Sequence, residues 1–165
     1  MTAPHLTPVP GPAAEFGARL RAALPVLETP RCRLRAPVLE DAPAWERLLV
    51  PDAEGHLGGP HDAGGAFVEF AATVGTWLLR GHGLWTVTDR AGAVLGFVLV
   101  GFEPGDQAPE LGWLLLPEAR GQGYAAEAAA AALAHALGAA GLPELVSYIA
   151  TANDRDRGVH ELSSA

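Results

Sequence analysis

The feature that most constrains this chain is a short apolar run followed by a glycine turn and a long alanine-rich segment. Residues 111–116 are apolar and end at Pro117, which predicts a buried strand. Residues 120–125 read RGQGYA, and their two glycines permit positive φ and close approach of a ligand to the backbone. Residues 125–140 are nearly all alanine and leucine, which predicts a helix that stops at Gly141.

A helix that starts on free backbone N–H groups carries partial positive charge at that end, which suits a phosphate or pyrophosphate. A P-loop would need a lysine after its last glycine, and the chain has no lysine. A dinucleotide fingerprint is present at Gly121, Gly123 and Ala126, but it lies late in the chain. Its nearest acid, Glu144, precedes the next strand instead of ending it, which does not match a dinucleotide-binding unit. A glycine turn that only joins two elements is a further alternative.

Composition narrows the classes of function. A length of 165 residues predicts one domain, and 49% hydrophobic with 18% charged residues predicts a folded one. The net charge of −8 argues against a nucleic acid partner. Cys32 is the single cysteine, so a reducing, cytoplasmic setting is expected. No signal peptide or apolar run of spanning length is found in the sequence, so no membrane partner is expected.

The rest of the chain predicts an alternation of helices and strands. Residues 1–14 hold four prolines and are expected to be disordered. The predicted helices cover residues 15–24 (docked on the domain), 39–49, 66–79 and a short stretch from 153; the predicted strands cover 31–36 (an edge strand), 84–88, 93–102 and 144–150.

This order of elements and the RGQGYA loop resemble the GNAT acetyltransferases, whose acyl-CoA loop has the form Q/R-x-x-G-x-G/A. The segments TPRCRLRAP at 29–37 and EDA at 40–42 resemble the ribosomal-protein-alanine N-acetyltransferase (RimJ/RimL-like) branch. The resemblance covers about residues 28–157. It implies an α/β (α+β) fold with a mixed central sheet, a splayed fourth and fifth strand, and flanking helices. Residues 1–27 would be an N-terminal extension and 28–165 the acetyltransferase domain.

The resemblance also implies acetyl-CoA as co-substrate and a set of site residues. Glu110 would be the general base, although an exposed strand-end carboxylate is the alternative. Asn153 would lie near the CoA arm and thiol, or cap a helix. One N–H of the fourth strand would polarise the thioester carbonyl. The residues expected to contact the cofactor are Leu114, Leu115, Leu116, Arg120 (otherwise a surface arginine), Gly121, Gln122, Gly123, Tyr124, Ala125 and Asn153.

Two departures from the branch affect the expected activity. Asp156 stands where a serine is common, and an ionised carboxylate cannot protonate a thiolate. The chain then ends GVHELSSA, so the last two strands are expected to be missing, which makes dimerisation through the open edge a candidate. The first hypothesis is an N-acetyltransferase that acts directly on a protein N-terminus or small amine; the alternative is a non-catalytic acyl-CoA-binding domain. His56 and His61 lack metal-ligand spacing, and no metal is expected.

Overall fold

The computed structural model describes residues 3–52, 57 and 59–147. Its helices and strands follow the predicted order, with 3-10 turns at Pro4–Leu6, Leu39–Asp41 and Pro117–Ala119. The elements are α1 (Pro12–Ala22), β1 (Leu27–Glu28), β2 (Cys32–Arg35), α2 (Ala42–Leu49), α3 (Ala63–Arg80), β3 (Leu84–Asp89), β4 (Val94–Gly101), β5 (Glu110–Leu115) and α4 (Tyr124–Leu137).

The five strands form one antiparallel sheet in sequential order, β1-β2-β3-β4-β5. The predicted edge strand, residues 31–36, is β2, and the prediction of an edge is wrong because β1 pairs with its outer side. At the other edge Val146 pairs in parallel with the start of β5. This single bridge is the one parallel contact of the sheet among the described residues. The predicted α/β fold, a central sheet flanked by helices, is confirmed. The rest of the predicted strand 144–150, its splay from β5 and the last two family strands concern residues from 148 on, outside the described ranges.

Alternating side chains give the sheet two apolar faces. The α4 core contains Leu34, Trp85 and Val87, and it is closed by buried alanines of α4. Those alanines (Ala128, Ala129, Ala132 and Ala136) are at most 1% exposed, so small side chains let the helix lie close to the sheet. The α2–α3 core, on the opposite face, contains Trp45, Phe70, Phe97 and Leu116. Helices therefore cover both faces of the sheet.

Caps explain where two helices differ from prediction. α3 begins at Ala63 because the Asp62 carboxylate accepts a hydrogen bond from the Gly65 N–H at 2.7 Å. α4 ends at Leu137, short of the predicted residue 140. Its last carbonyls are then satisfied by a closing turn, in which the Leu142 N–H donates to the Ala136 carbonyl at 2.9 Å and Gly141 has φ 67°.

The N-terminal extension has more regular backbone than expected. The proline-rich stretch contains the 3-10 turn at Pro4–Leu6, and α1 starts at Pro12, where proline suits a first helical position. Leu6 packs against the α2–α3 core. The docking predicted for residues 15–24 is found at Leu24, which packs against the α4 core. It is not found along α1 itself, since Phe16 is 56% exposed and no residue of this helix is buried.

A glycine in β4 controls the pairing of β4 with β5. Gly96 has φ 155°, and a Cβ there would collide with the Leu114 carbonyl oxygen and lie 2.8 Å from the Leu115 Cα. We expect Gly96→Ala to lower the free energy of unfolding by about 3 kcal/mol or more, because backbone atoms cannot yield locally. Gly112→Ala in β5 is the matched control, since its Cβ would meet no atom within 4 Å. Urea denaturation of both variants tests this, and equal stabilities would contradict it.

Candidate functional site

The loop between β5 and α4 has the local structure that the sequence predicts. Gly121 and Gly123 have φ values of 74° and 81°, in the left-handed region that favours glycine. Gly123 is the N-cap of α4 and provides no side-chain cap. The first turn of α4 therefore presents backbone N–H groups at the positive end of the helix dipole. Such a terminus is suited to an anion.

An arginine that the sequence did not single out holds this loop. The Nη1 of Arg31 donates to the Gln122 carbonyl at 2.8 Å, and its guanidinium lies over the Tyr124 ring at 4.7 Å. A Cβ on Gly123 would come within 3.3 Å of the Arg31 Nη2. Arg31, just before β2, therefore contacts Gln122 and Tyr124 and lies beside Gly123.

Glu127, in the first turns of α4, fixes Arg31 in turn. Its carboxylate accepts hydrogen bonds from the Thr29 hydroxyl (2.6 Å), the Arg31 N–H (2.8 Å) and the Arg31 Nε (2.7 Å). Burial opposes ionisation of Glu127, but the hydrogen bonds from Thr29 and Arg31 outweigh it and hold the pKa below its ordinary value. The same hydrogen bond raises the pKa of Arg31. The pair is therefore charged at neutral pH.

The branch-like segment 29–37 thus has a structural role at both ends. At its far end, Arg35 donates two hydrogen bonds to the buried carboxylate of Asp41, at 2.7 and 2.8 Å. That carboxylate also accepts from the Thr86 hydroxyl at 2.7 Å. Asp41 lies directly before α2, so this network joins β2 and β3 to that helix. The sequence of this segment indicated a resemblance to a family, but the spacing of its residues could not predict which distant side chains it contacts.

The backbone N–H groups of Leu114, Leu115 and Leu116, the leucines expected to contact the cofactor, point in different directions. The hydrogen bonds at both ends of β5 show which amides face β4 and which face the outer edge. The Leu111 N–H donates outward to the Val146 carbonyl, and the Leu116 N–H donates inward to the carbonyl of Leu95 in β4. Since backbone groups alternate along an antiparallel strand, the Leu114 N–H also points to β4 and the Leu115 N–H points to the edge beyond β5. Among the three, only the Leu115 amide is directed to that edge.

Arg120 and Glu110 lie at opposite ends of β5. The Arg120 Nε donates to the Leu115 carbonyl at 2.9 Å, so this arginine is anchored where the strand ends. Glu110 is half-buried at the start of the strand, roughly 17 Å away at the rise of a strand. Alternation places Glu110 on the same face as Gly112 and Leu114, toward α2 and α3. The glycine loop and Glu110 can therefore belong to one site only for an elongated ligand along the strand.

Two residues singled out in the sequence cannot be placed, and the described residues contain neither a metal site nor a membrane span. Asn153 and Asp156 lie outside the described residues. In the part of the chain that the structure describes, no group of three or more His, Cys, Asp or Glu side chains is arranged to hold a metal ion. No helix within the described ranges combines the length and apolar character needed to cross a membrane.

Comparisons with known proteins agree on the fold. The family model of the acetyltransferase (GNAT) domain matches this sequence over residues 31–162. An acetyltransferase from Agrobacterium tumefaciens strain C58 is 33% identical, with TM-score 0.77 over 84% of this chain and 82% of that one. A GNAT-family protein from Bordetella pertussis is 27% identical, with TM-score 0.70 over 84% and 87%.

More distant structures share the fold as well. RimJ of Mycobacterium smegmatis, solved in complex with a CoA disulfide, is 19% identical, with TM-score 0.62 over 84% of this chain and 72% of that one. No match was found among curated proteins. The family match spans most of the chain, and the Agrobacterium relative is covered over four fifths of both lengths. The chain therefore belongs to the GNAT acetyltransferase family.

Proposed function

We propose that this protein transfers an acetyl group from acetyl-CoA directly to a primary amine, either a protein N-terminus or a small molecule. The observation that carries the proposal is the glycine loop at the end of β5, which leads into the uncapped start of α4 beside the outward amide of Leu115. These features provide an anion site and a hydrogen-bond donor at the same end of β5.

In this proposal the loop binds the pyrophosphate of acetyl-CoA. Positive φ at both glycines turns the backbone so that the ligand can approach closely, and the α4 dipole favours the negative charge. Arg120 is held beside the loop by the Leu115 carbonyl and adds positive charge. The contacting residues are Arg120, Gly121, Gln122, Gly123, Tyr124 and Ala125. The M. smegmatis RimJ complex, in which a protein of the same fold is bound to a CoA disulfide, supports the choice of ligand.

The acetyl group lies farther along the edge of β5. Leu115 is the best placed of the three leucines to polarise the thioester carbonyl, because its N–H points outward. Leu114 and Leu116 contribute through side chains that pack in the α2–α3 core. Asn153 is proposed near the thiol on the resemblance alone.

The acceptor amine approaches on the face that Glu110 shares with Gly112 and Leu114. The absence of a side chain at Gly112 leaves this face open, since a Cβ there would meet nothing within 4 Å. The bound amine first loses its ammonium proton to solvent, because only the neutral nitrogen has a lone pair for attack. Glu110 then accepts the second proton, directly or through water, as the nitrogen forms its bond to the acetyl carbon and the carbon–sulfur bond breaks. The leaving CoA thiolate takes up a proton from water. The net charge of −8 favours approach of a cationic amine.

A non-catalytic acyl-CoA-binding domain is the second candidate. The observation that favours it is Asp156, which replaces the hydroxyl common in the related branch. The two functions differ in release of free CoA when the protein receives acetyl-CoA with a panel of amines and N-terminal peptides. Thermal stabilisation by CoA without release of CoA would support the binding domain. Dimerisation and a cytoplasmic setting stay predictions.

The loop assignment predicts that Gly123→Val abolishes CoA binding. Valine is strained at φ 81°, and its branched side chain obstructs the approach of the pyrophosphate. Gly81→Val is the matched control, because Gly81 has φ 74° at the end of α3, in a different connection. Calorimetry should show CoA binding for wild type and Gly81→Val, and none for Gly123→Val. Unchanged affinity in Gly123→Val would remove the cofactor from this loop.

The base assignment predicts that Glu110→Gln lowers turnover roughly 10²-fold or more while CoA affinity stays near wild type, since proton transfer is lost and cofactor contacts remain. Glu103→Gln, a substitution of an exposed carboxylate before β5, is the control and should retain activity. Steady-state kinetics and calorimetry on the three proteins provide the test. Full activity in Glu110→Gln would show that another group takes the proton.

A further inference from the structure

We propose that Arg31 is a positioning residue of the phosphate loop, which aims the Gly123 N–H at the bound anion without being the anion's ligand. This inference rests on the proposed function of the loop. Arg31 lies 91 residues from Gln122 in sequence, and no part of the expected cofactor motif includes it.

The guanidinium of Arg31 is committed to the protein on several sides. Its Nε donates to Glu127 at 2.7 Å and its Nη1 to the Gln122 carbonyl at 2.8 Å. The Tyr124 ring lies against it at 4.7 Å. Its backbone N–H also donates to Glu127, at 2.8 Å, so the residue is held at both ends. This geometry is that of a clamp with its charge already paired.

The clamp has a direct consequence for the loop amide. In a planar trans peptide the C=O and N–H point in opposite directions. When Arg31 draws the Gln122 carbonyl toward itself, the Gly123 N–H of the same peptide is directed away from Arg31. Without the clamp, Gly123 would let this peptide plane rotate, because glycine has little steric preference at φ. Arg31 therefore selects one orientation of the donor.

Substitution of Glu127 distinguishes an effect of charge from an effect of positioning, because the two predict opposite changes in the affinity for CoA. If Arg31 and Glu127 acted on CoA only through charge, Glu127→Gln would tighten binding, because a negative charge near an anion is removed. If they position the loop, Glu127→Gln weakens binding, because an amide N–H₂ faces the Arg31 Nε and both are donors. We expect the dissociation constant of CoA to rise about tenfold and the KM of acetyl-CoA to rise with it, while kcat is retained.

Arg31→Lys provides the second arm. Lysine keeps the charge but cannot hold Glu127 and the Gln122 carbonyl together, so positioning predicts the same tenfold loss as in Glu127→Gln. The double variant should bind no more weakly than the weaker single variant, because both changes break one clamp. Glu118→Gln is the charge-matched control: this exposed carboxylate next to the loop pairs with Arg47, and its loss should not weaken binding. Binding near wild type in Arg31→Lys, or tighter binding in Glu127→Gln, would overturn the proposal.

Hydrogen exchange in the ligand-free protein separates this proposal from the proposed function. We expect faster exchange for the loop peptide covering residues 120–124 in Arg31→Lys and Glu127→Gln than in wild type, with Glu118→Gln unchanged. If wild type fails to bind CoA, the proposed function fails, and faster exchange in the two variants still supports the clamp. Unchanged exchange overturns the clamp whether or not CoA binds. Circular dichroism on each variant confirms that it is folded.

Discussion

The candidate site depends on the hydrogen bonds that the Glu127 carboxylate accepts. This carboxylate accepts three hydrogen bonds from Thr29 and Arg31 at the start of the sheet, while it belongs to the helix that begins at the glycine loop. Charge-assisted hydrogen bonds in a partly buried place are stronger than neutral ones. The carboxylate therefore joins the first strands, the loop and α4 at one point. The loop's conformation is a property of this junction as well as of its glycines.

In strand β5 the backbone and the side chains contribute differently to the candidate site. The side chains of β5 alternate between the α4 core and the α2–α3 core, and its amides alternate between β4 and the outer edge. A ligand along the edge can use the outward amides without disturbing the sheet. Gly112 leaves room on the side where Glu110 lies. One six-residue strand thus offers a donor, an open face and a carboxylate.

Much of this arrangement was predictable because it is local. Apolar runs and alternation indicated the strands, alanine and leucine indicated α4, and two glycines indicated a turn with positive φ, as found at Gly121 and Gly123. The errors also have local causes. The carboxylate of Asp62 starts α3 early, and the two-residue strand β1 is too short to produce a pattern of its own.

The sequence by itself determined the order of the elements, the family and the position of the glycine loop, since propensity and spacing act over a few residues. The tertiary structure alone decided that Arg31 holds the loop and that Glu127 holds Arg31, because these partners are 91 and 96 residues apart. It also decided which leucine amide faces outward, which depends on the register of β5 against β4. Hydrogen bonds between distant groups form only once the chain has closed, and no local pattern encodes their direction.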